Sequence, residues 1–171
     1  MVATSPELET FLVNSPLFGG LAGESLDRLI AMLAERQFDP GAVVVSEGEE
    51  GRSLFIVRSG QLAVRKRGEN GSVIELTRLG PGDFFGEMTL IEIQARSATL
   101  VAETSAVLYE LTARDLYAYY KADLRAYAMV LQNMNRELCR RLRRADGRIA
   151  ELTDFARAPA LLPAEETRER S

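Results

Sequence analysis

The spacing of apolar residues predicts helices at the amino-terminal end of the chain. Between Gly23 and Arg36 they recur every three or four positions, which is the period of a helix with one buried face. An earlier helix is predicted to begin at Ser5 and Pro6 and to end near Asn14, because serine is a good N-cap and proline suits the first helical position. Residues 1–36 are therefore predicted to form the N-terminal helices.

Residues 37–111 show a different pattern, in which short apolar runs alternate with glycine-containing turns. Nine of the 13 glycines lie between Gly41 and Gly86, at intervals of roughly 8 to 12 residues, the spacing of turns in a β-barrel or sandwich. An Asn-Gly pair at 70–71 predicts a hairpin turn, since it tolerates positive φ angles. The apolar runs predict strands at 43–45, 54–57, 62–65, 73–76, 98–101 and 107–111. This order predicts an α+β protein built on an eight-stranded β jelly-roll barrel that one short helix interrupts.

After residue 111 the glycines nearly stop and the pattern becomes helical again. Thr112 and Asp115 resemble a capping box, so a helix is predicted from there to about Ala122, and Asp123 is predicted to cap a second, longer helix. The apolar residues of that longer helix have a near-heptad spacing, which predicts a parallel homodimer through residues 123–152. The predicted seam residues are Leu131, Met134, Leu138, Leu142, Ala145, Ile149 and Leu152.

The domain organisation follows from these patterns. Residues 37–111 are expected to be the barrel core, and residues 112–155 are expected to be the C-terminal helices that mediate dimerisation. The last segment, 156–171, has two prolines and a highly charged end. Such a composition cannot bury enough apolar surface to fold, so a disordered tail is predicted there.

Composition excludes several kinds of chemistry. The chain has no histidine, and Cys139 is its one cysteine, so common zinc sites, Ser-His-Asp triads and Cys-His pairs cannot be assembled. We therefore expect no catalytic residue, no metal site and no enzymatic activity. No stretch approaches the roughly 20 apolar residues of a membrane span, and the first residues lack the pattern of a secretory signal. With no possible intrachain disulfide, these features predict a cytoplasmic protein that has no membrane partner.

Charge is distributed unevenly along the chain, whose net charge is −4. Residues 1–110 are net acidic, whereas residues 111–171 are net basic. An acidic barrel does not attract an anion through its overall field. An anion site in the barrel must therefore be local and must depend on a few individual donors.

The stretch from Gly82 to Leu100, GDFFGEMTLIEIQARSATL, contains such donors. Arg96 has a planar fork of N–H groups that suits a phosphate. Glu87 is an acceptor when ionised, so it suits a sugar hydroxyl. The residues between them can make one helical turn whose free N–H groups point at the anion. The stretch therefore predicts a site for a small anion that also carries a hydroxyl.

This stretch resembles the phosphate-binding cassette of cyclic-nucleotide-binding domains, the family of the bacterial catabolite activators and the regulatory subunits of cyclic-nucleotide-dependent kinases. The resemblance rests on F-G-E at 85–87 and R-S-A-T at 96–99, and it extends upstream through G-E-E-G at 48–51 and L-F-I-V-R-S-G at 54–60. It implies a cyclic nucleotide as ligand, with Ser97 as a further contact to the phosphate. The implied ligand-binding residues are Gly86, Glu87, Met88, Arg96, Ser97 and Ala98.

The resemblance leaves the base and the use of the last helix open. Catabolite activators contact adenine through hydroxyl residues on the long helix, and Arg141 and Leu142 stand near that place here. Both are candidate base contacts, and Arg141 could stack on a purine or bond its edge. Kinase regulatory domains use their last helix as a lid, which is an alternative to the dimer seam. Family members that carry haem or iron–sulfur clusters need histidine or several cysteines, so no cofactor is expected here.

The expected function is that of a stand-alone sensor or regulatory domain that binds a 3′,5′-cyclic purine nucleotide and signals through its C-terminal helices to an unknown downstream protein. Cyclic AMP is favoured over cyclic GMP by family frequency. One alternative is a dimeric scaffold with a vestigial pocket. Another is a nucleic-acid binder that uses the arginines at 136, 140, 141, 143, 144 and 148. Nucleic acid is the less favoured partner, because no helix-turn-helix follows the long helix.

Overall fold

The structure of the protein is a computed structural model that describes residues 4–91 and 94–157. The chain divides into two units, Met1–Glu137 and Leu138–Ser171. The first unit contains the barrel and its flanking helices, and the described part of the second is helical. No helix in the described residues is both long enough and apolar enough to cross a membrane.

Two helices precede the barrel, α1 (Pro6–Val13) and α2 (Gly23–Met32). Ser5 caps α1, because its side-chain oxygen accepts a hydrogen bond from the backbone N–H of Leu8 at 3.2 Å. The predicted start of this helix at a serine followed by a proline is therefore confirmed. Both helices turn apolar side chains inward, and Leu12, Leu29 and Ile30 are completely buried.

Eight antiparallel strands form two four-stranded sheets, with the orders β1-β8-β3-β6 and β2-β7-β4-β5. A short helix, α3 (Glu87–Ile91), interrupts the strands between β6 and β7. The α+β class and the eight-stranded jelly roll predicted from the sequence are confirmed. The strands are β1 (Ala34–Phe38), β2 (Val43–Val45), β3 (Ser53–Ser59), β4 (Leu62–Arg67), β5 (Val73–Leu79), β6 (Phe84–Phe85), β7 (Thr99–Ala102) and β8 (Ala106–Thr112).

The barrel core is made by apolar side chains from both sheets. Phe55, Val57 and Leu108 come from one sheet, and Leu62 and Leu100 come from the other. All five belong to one buried cluster, which holds the two sheets together because each large apolar side chain removed from water contributes about 1.5–3 kcal/mol.

The predicted helix over residues 23–36 is wrong at its end, because α2 stops at Met32. Leu33 is extended, with φ −71° and ψ 139°, and the following residues form β1. This strand pairs with β8, and Arg36 donates a hydrogen bond from Nε to Glu110 at 2.8 Å. Leu33 is apolar and in phase with the helix, so the local pattern does not mark the boundary. Pairing with a distant strand determines it.

The C-terminal helices begin where the sequence predicts. Thr112 and Asp115 form a reciprocal capping box at the start of α4 (Ala113–Ala122). Asp123 caps α5 (Leu124–Arg157), since its Oδ1 accepts a hydrogen bond from the backbone N–H of Ala126 at 2.9 Å. Both cap residues follow the rule that a short acceptor side chain satisfies the free N–H groups of a first turn.

The predicted seam residues of α5 differ in their exposure. In the first unit Met134 is buried, so it already packs within the single chain. In the second unit Leu142, Ile149 and Leu152 are at least 62% exposed. The parallel homodimer stays a prediction. The predicted disordered tail, 156–171, lies outside the described residues apart from the last two helical positions of α5.

Candidate functional site

The cassette begins with a sharp turn at Gly86, directly after β6. Gly86 has a φ of 89°, a left-handed conformation that side chains disfavour. Glu87 then opens α3, and the hydroxyl of Thr89 donates a hydrogen bond to the carbonyl oxygen of Gly86 at 2.8 Å. The helical turn predicted within the cassette is therefore present, and its first turn lies against β3.

Arg96 is fixed at both its backbone and its side chain. Its N–H donates to the carbonyl of Glu49 and its carbonyl accepts from the N–H of Gly48, each at 2.9 Å. Its Nη1 donates to the carbonyl of Ser53 at 2.9 Å and to the hydroxyl of Thr89 at 3.3 Å. The residue is 7% exposed. A buried arginine held by neutral acceptors is a preorganised cation.

Two glycines form the walls around the Arg96 guanidinium. A Cβ on Gly51 would lie 2.3 Å from Nε of Arg96, and a Cβ on Gly86 would lie 2.5 Å from its Nη1 and 2.5 Å from the carbonyl of Ser53. Any side chain at either position would collide with the guanidinium. Below it lies the aromatic ring of Phe55, whose centroid is 5.7 Å from Cζ of Arg96, a cation–π contact.

Burial and acidic neighbours act in opposite directions on the charge of Arg96. Burial lowers the pKa of Arg96, whereas the negative charges of Glu49, Glu110 and Glu87 oppose that shift. Arginine still remains protonated in proteins. Its Nε is the one buried side-chain polar atom, among the described residues, that has no hydrogen-bond partner. A buried donor without a partner carries a desolvation cost that an anionic acceptor removes.

The other predicted ligand residues lie beside Arg96 along the cassette. Glu87 is buried and its charge acts on Arg96, and Ala98 is buried next to β7. Met88 and Ser97 are exposed, and the Ser97 hydroxyl lies 3.8 Å from the Met88 sulfur. The structure thus brings Gly86, Glu87 and Arg96 together and places Met88 beside Ser97, and Ala98 directly precedes β7.

The second pair of predicted contacts lies in the other unit. Arg141 and Leu142 are on the part of α5 that belongs to Leu138–Ser171, where Arg141 is half-buried and Leu142 is exposed. Their contact with a base therefore stays a prediction. No group of three or more metal-ligating side chains occurs within residues 4–91 and 94–157.

Three neighbours of Arg96 could not be predicted from the sequence. Ser53 and Thr89 are its hydrogen-bond acceptors, and Gly51 is the wall behind it. Ser53 lies 43 residues away, and nothing in its local sequence marks it. Gly51 lies in the G-E-E-G motif that contributes to the resemblance, so its position was marked although its contact was not.

A buried arginine between two close glycines, next to an acidic residue that opens a short helix, is an arrangement that can accept a small anion on a jelly-roll scaffold. The family model described as "Cyclic nucleotide-binding domain" matches residues 35–123, about half of the chain. The chain belongs to this family.

Three relatives show how far the similarity extends. The cyclic AMP receptor protein of Thermus thermophilus is 36% identical over 78% of this chain and 60% of its own length. The crystal structure of the Thermus thermophilus catabolite activator protein is 34% identical, with a TM-score of 0.71 over 81% of this chain and 63% of that one. The regulatory domain of Toxoplasma gondii PKA, in co-crystal with cAMP, is 32% identical, with a TM-score of 0.61 over 66% of this chain and 43% of that one. The chain spans less than two thirds of each relative.

Proposed function

We propose that this protein is a regulatory domain that binds a 3′,5′-cyclic purine nucleotide in the cassette. Arg96 contacts the cyclic phosphate, and Glu87 accepts a hydrogen bond from the ribose hydroxyl. The observation that carries this proposal is the buried Arg96 side chain, whose Nε has no partner among the described residues. A phosphate supplies a negative charge for the guanidinium and an acceptor oxygen for its unpaired Nε–H.

The remaining cassette residues complete the contact in this proposal. Gly86 lets the backbone approach the phosphate without a side chain in the way. Ser97 is exposed next to Arg96 and offers a hydroxyl to the phosphate, and Met88 is exposed at the same edge. Ala98 is small and buried, so it leaves room for the ligand.

Cyclic AMP is the proposed nucleotide. A relative that is 36% identical is named a cyclic AMP receptor protein, and a relative of known structure was crystallised with cAMP. Arg141 and Leu142 are the proposed contacts to the base. No resident cofactor and no catalysis are part of the proposal: the cassette supplies an anion anchor and a hydroxyl acceptor, which hold a ligand without activating a nucleophile.

The proposed output passes through the C-terminal helices, and the hydrogen bonds around Arg96 support this route. Arg96 donates to the carbonyl of Ser53, whose hydroxyl donates to Glu110 on β8 at 2.6 Å. Strand β8 ends at Thr112, which caps α4. A ligand that moves Arg96 toward its phosphate changes the contacts of Ser53 with Arg96 and Glu110, close to the start of α4. It would shift an existing equilibrium of the helices and so reach a downstream protein in the cytoplasm.

Isothermal titration calorimetry of the full chain tests the proposal. The ligands are cyclic AMP, cyclic GMP and 5′-AMP, the last as a control with the same base but an open phosphate. We expect the tightest binding for cyclic AMP and the weakest for 5′-AMP. Glu87→Gln should weaken cyclic AMP binding less than Arg96→Ala, because the amide oxygen still accepts a hydrogen bond. No binding of either cyclic nucleotide at millimolar concentration would leave a scaffold with a vestigial pocket.

A further inference from the structure

Helix α4 carries tyrosines on two different faces. Tyr119 points into the first unit, where it is completely buried and its hydroxyl donates to the carbonyl of Ser25 at 2.9 Å. Tyr117 and Tyr120 are 60% and 39% exposed. Packing of α4 onto the rest of the unit therefore accounts for the tyrosine at position 119, and it gives no reason for the exposed aromatic rings of Tyr117 and Tyr120.

The exposed tyrosines belong to a continuous aromatic surface at the junction of α4 and α5. The ring centroids of Tyr117 and Tyr120 are 6.0 Å apart, and those of Tyr120 and Tyr127 are 5.2 Å apart. The ammonium of Lys121 lies 5.5 Å from the ring centroid of Tyr117 and 5.9 Å from that of Tyr120. Leu124, 62% exposed, lies at the same junction. We call Tyr117, Tyr120 and Lys121 the α4 tyrosine patch; Leu124 and Tyr127 border it and belong to the segment predicted to mediate dimerisation.

The net charge around the α4 tyrosine patch is positive. Arg114, Lys121 and Arg125 are exposed on α4 and the start of α5. The two acids of this region act as caps: Asp115 accepts from the backbone of Thr112, and Asp123 accepts from the hydroxyl of Ser25 and the N–H of Ala126. The three basic side chains outnumber these two carboxylates, so a partner meets a net positive charge in this region.

We infer that the α4 tyrosine patch is a docking surface for a segment of a partner protein. That segment is acidic and also carries aromatic or aliphatic side chains. Exposed tyrosines offer large, rigid contact area, and interfaces are enriched in tyrosine and arginine. The basic surround is complementary to acidic side chains and would orient the approaching segment. The inference goes beyond the proposed function, because none of these residues belongs to the cassette.

A polymer-binding measurement on the full chain tests this inference. The probe is a fluorescent random copolymer of glutamate and tyrosine, with a glutamate homopolymer of equal length as the charge-only probe. We expect the copolymer to bind more tightly than the homopolymer, with or without cyclic AMP. Tyr117→Ala combined with Tyr120→Ala should weaken copolymer binding at least about tenfold, and Lys121→Glu should weaken it as well. Circular dichroism checks that each variant is folded.

Two matched variants decide where the polymer binds. Val73→Ala with Leu76→Ala removes other exposed apolar side chains, on β5, and should leave copolymer binding unchanged. Arg143→Ala with Arg144→Ala tests the arginines of the long helix. A loss confined to that pair, or equal affinity for both polymers, would overturn the inference. If oligothymidylate bound more tightly than the copolymer, and the tyrosine variant lost that binding, the α4 tyrosine patch would be a nucleic-acid surface instead.

Discussion

The position of the Arg96 side chain depends on two neighbouring residues that have no side chain. Gly51 and Gly86 provide space where any other residue would place a Cβ against the guanidinium. The two glycines differ in their backbones, since Gly86 has a φ of 89° and Gly51 does not lie in the left-handed region. Alanine at Gly51 therefore displaces the guanidinium without straining the backbone, whereas alanine at Gly86 would do both.

Gly51→Ala should weaken cyclic AMP binding at least about tenfold, equivalent to about 1.4 kcal/mol. The new methyl would lie 2.3 Å from Nε of Arg96, so the guanidinium must move. Gly71→Ala is the matched control, because its Cβ meets nothing within 4 Å but its φ is 80°. It should lower the free energy of unfolding by about 1–2 kcal/mol and leave affinity unchanged. Calorimetry and urea unfolding measure both effects; equal affinity of Gly51→Ala and parent would contradict the account.

At the scale of elements, hydrogen bonds at Ser25 of α2 join the N-terminal helices to the C-terminal ones, because the Ser25 hydroxyl donates to Asp123 at the start of α5 and its carbonyl accepts from α4. Tyr119 on α4 donates to the carbonyl of Ser25 on α2. Burial raises the pKa of Tyr119 to about 12, the charge of Asp123 adds to the rise, and Arg28 opposes it. The folded chain therefore holds the phenol proton more tightly than the unfolded chain does, whose tyrosines titrate near pH 10.

Tyr119→Phe should be less stable than the parent by about 1 kcal/mol near neutral pH, because the carbonyl of Ser25 loses its donor. The raised pKa makes the phenol's contribution full below about pH 10, and that contribution is lost as the pH rises toward about 12. The difference between parent and variant should therefore shrink above pH 10. Urea unfolding across this range measures it, with Tyr117→Phe as the exposed control. A difference that stays constant with pH would show that the phenol proton is not involved.

Local sequence was sufficient for some elements and not for others. The caps at Ser5, Thr112 and Asp123 depend on neighbouring backbone, so the sequence predicted where these helices begin. The short strand β6 depends on pairing with β3, and only two residues carry it. The end of α2 likewise depends on a strand far along the chain. Periodicity reports local geometry, and it does not report pairing across long sequence separations.

The candidate site shows the same division. The charged residues Glu87 and Arg96 were predicted from their chemistry and from a resemblance, and the structure places them together. The inward hydrogen bonds of Arg96 to Ser53 and Thr89 could not be predicted, since they require the three-dimensional course of β3 and α3. A motif predicts which residues meet a ligand, whereas the residues that hold them in place come from the fold.

At the scale of the whole molecule, the apolar residues of α5 lead to a prediction about assembly. Leu142, Ile149 and Leu152 are each at least 62% exposed in the single chain. A near-heptad stripe of this kind is stable when a second helix covers it. The sequence alone could not show that Met134, in the same stripe, is instead buried within the first unit.

We predict that the protein is a parallel homodimer through residues 123–152. Sedimentation at tens of micromolar, the range in which weak association shows, should give the mass of two chains. Leu138→Glu with Leu142→Glu should give the mass of one, because like charges then face each other across the seam. Tyr117→Glu with Tyr120→Glu, which places the same two charges outside the seam, is the control and should stay dimeric. A monomeric parent, or a double variant that sediments as the dimer, would rule out this interface.

If Arg96 anchors a cyclic nucleotide, its replacement by alanine must reduce the affinity for cyclic AMP. Loss of a buried, charge-assisted contact should weaken binding by roughly 2–4 kcal/mol, measured by calorimetry against the parent. Arg78→Ala is the matched control, because it removes an arginine whose ion pairs to Glu75 and Glu103 lie on the surface. Arg78→Ala should bind as the parent does, and Arg96→Ala should bind far more weakly. Equal affinities for all three proteins would show that Arg96 is not the anchor.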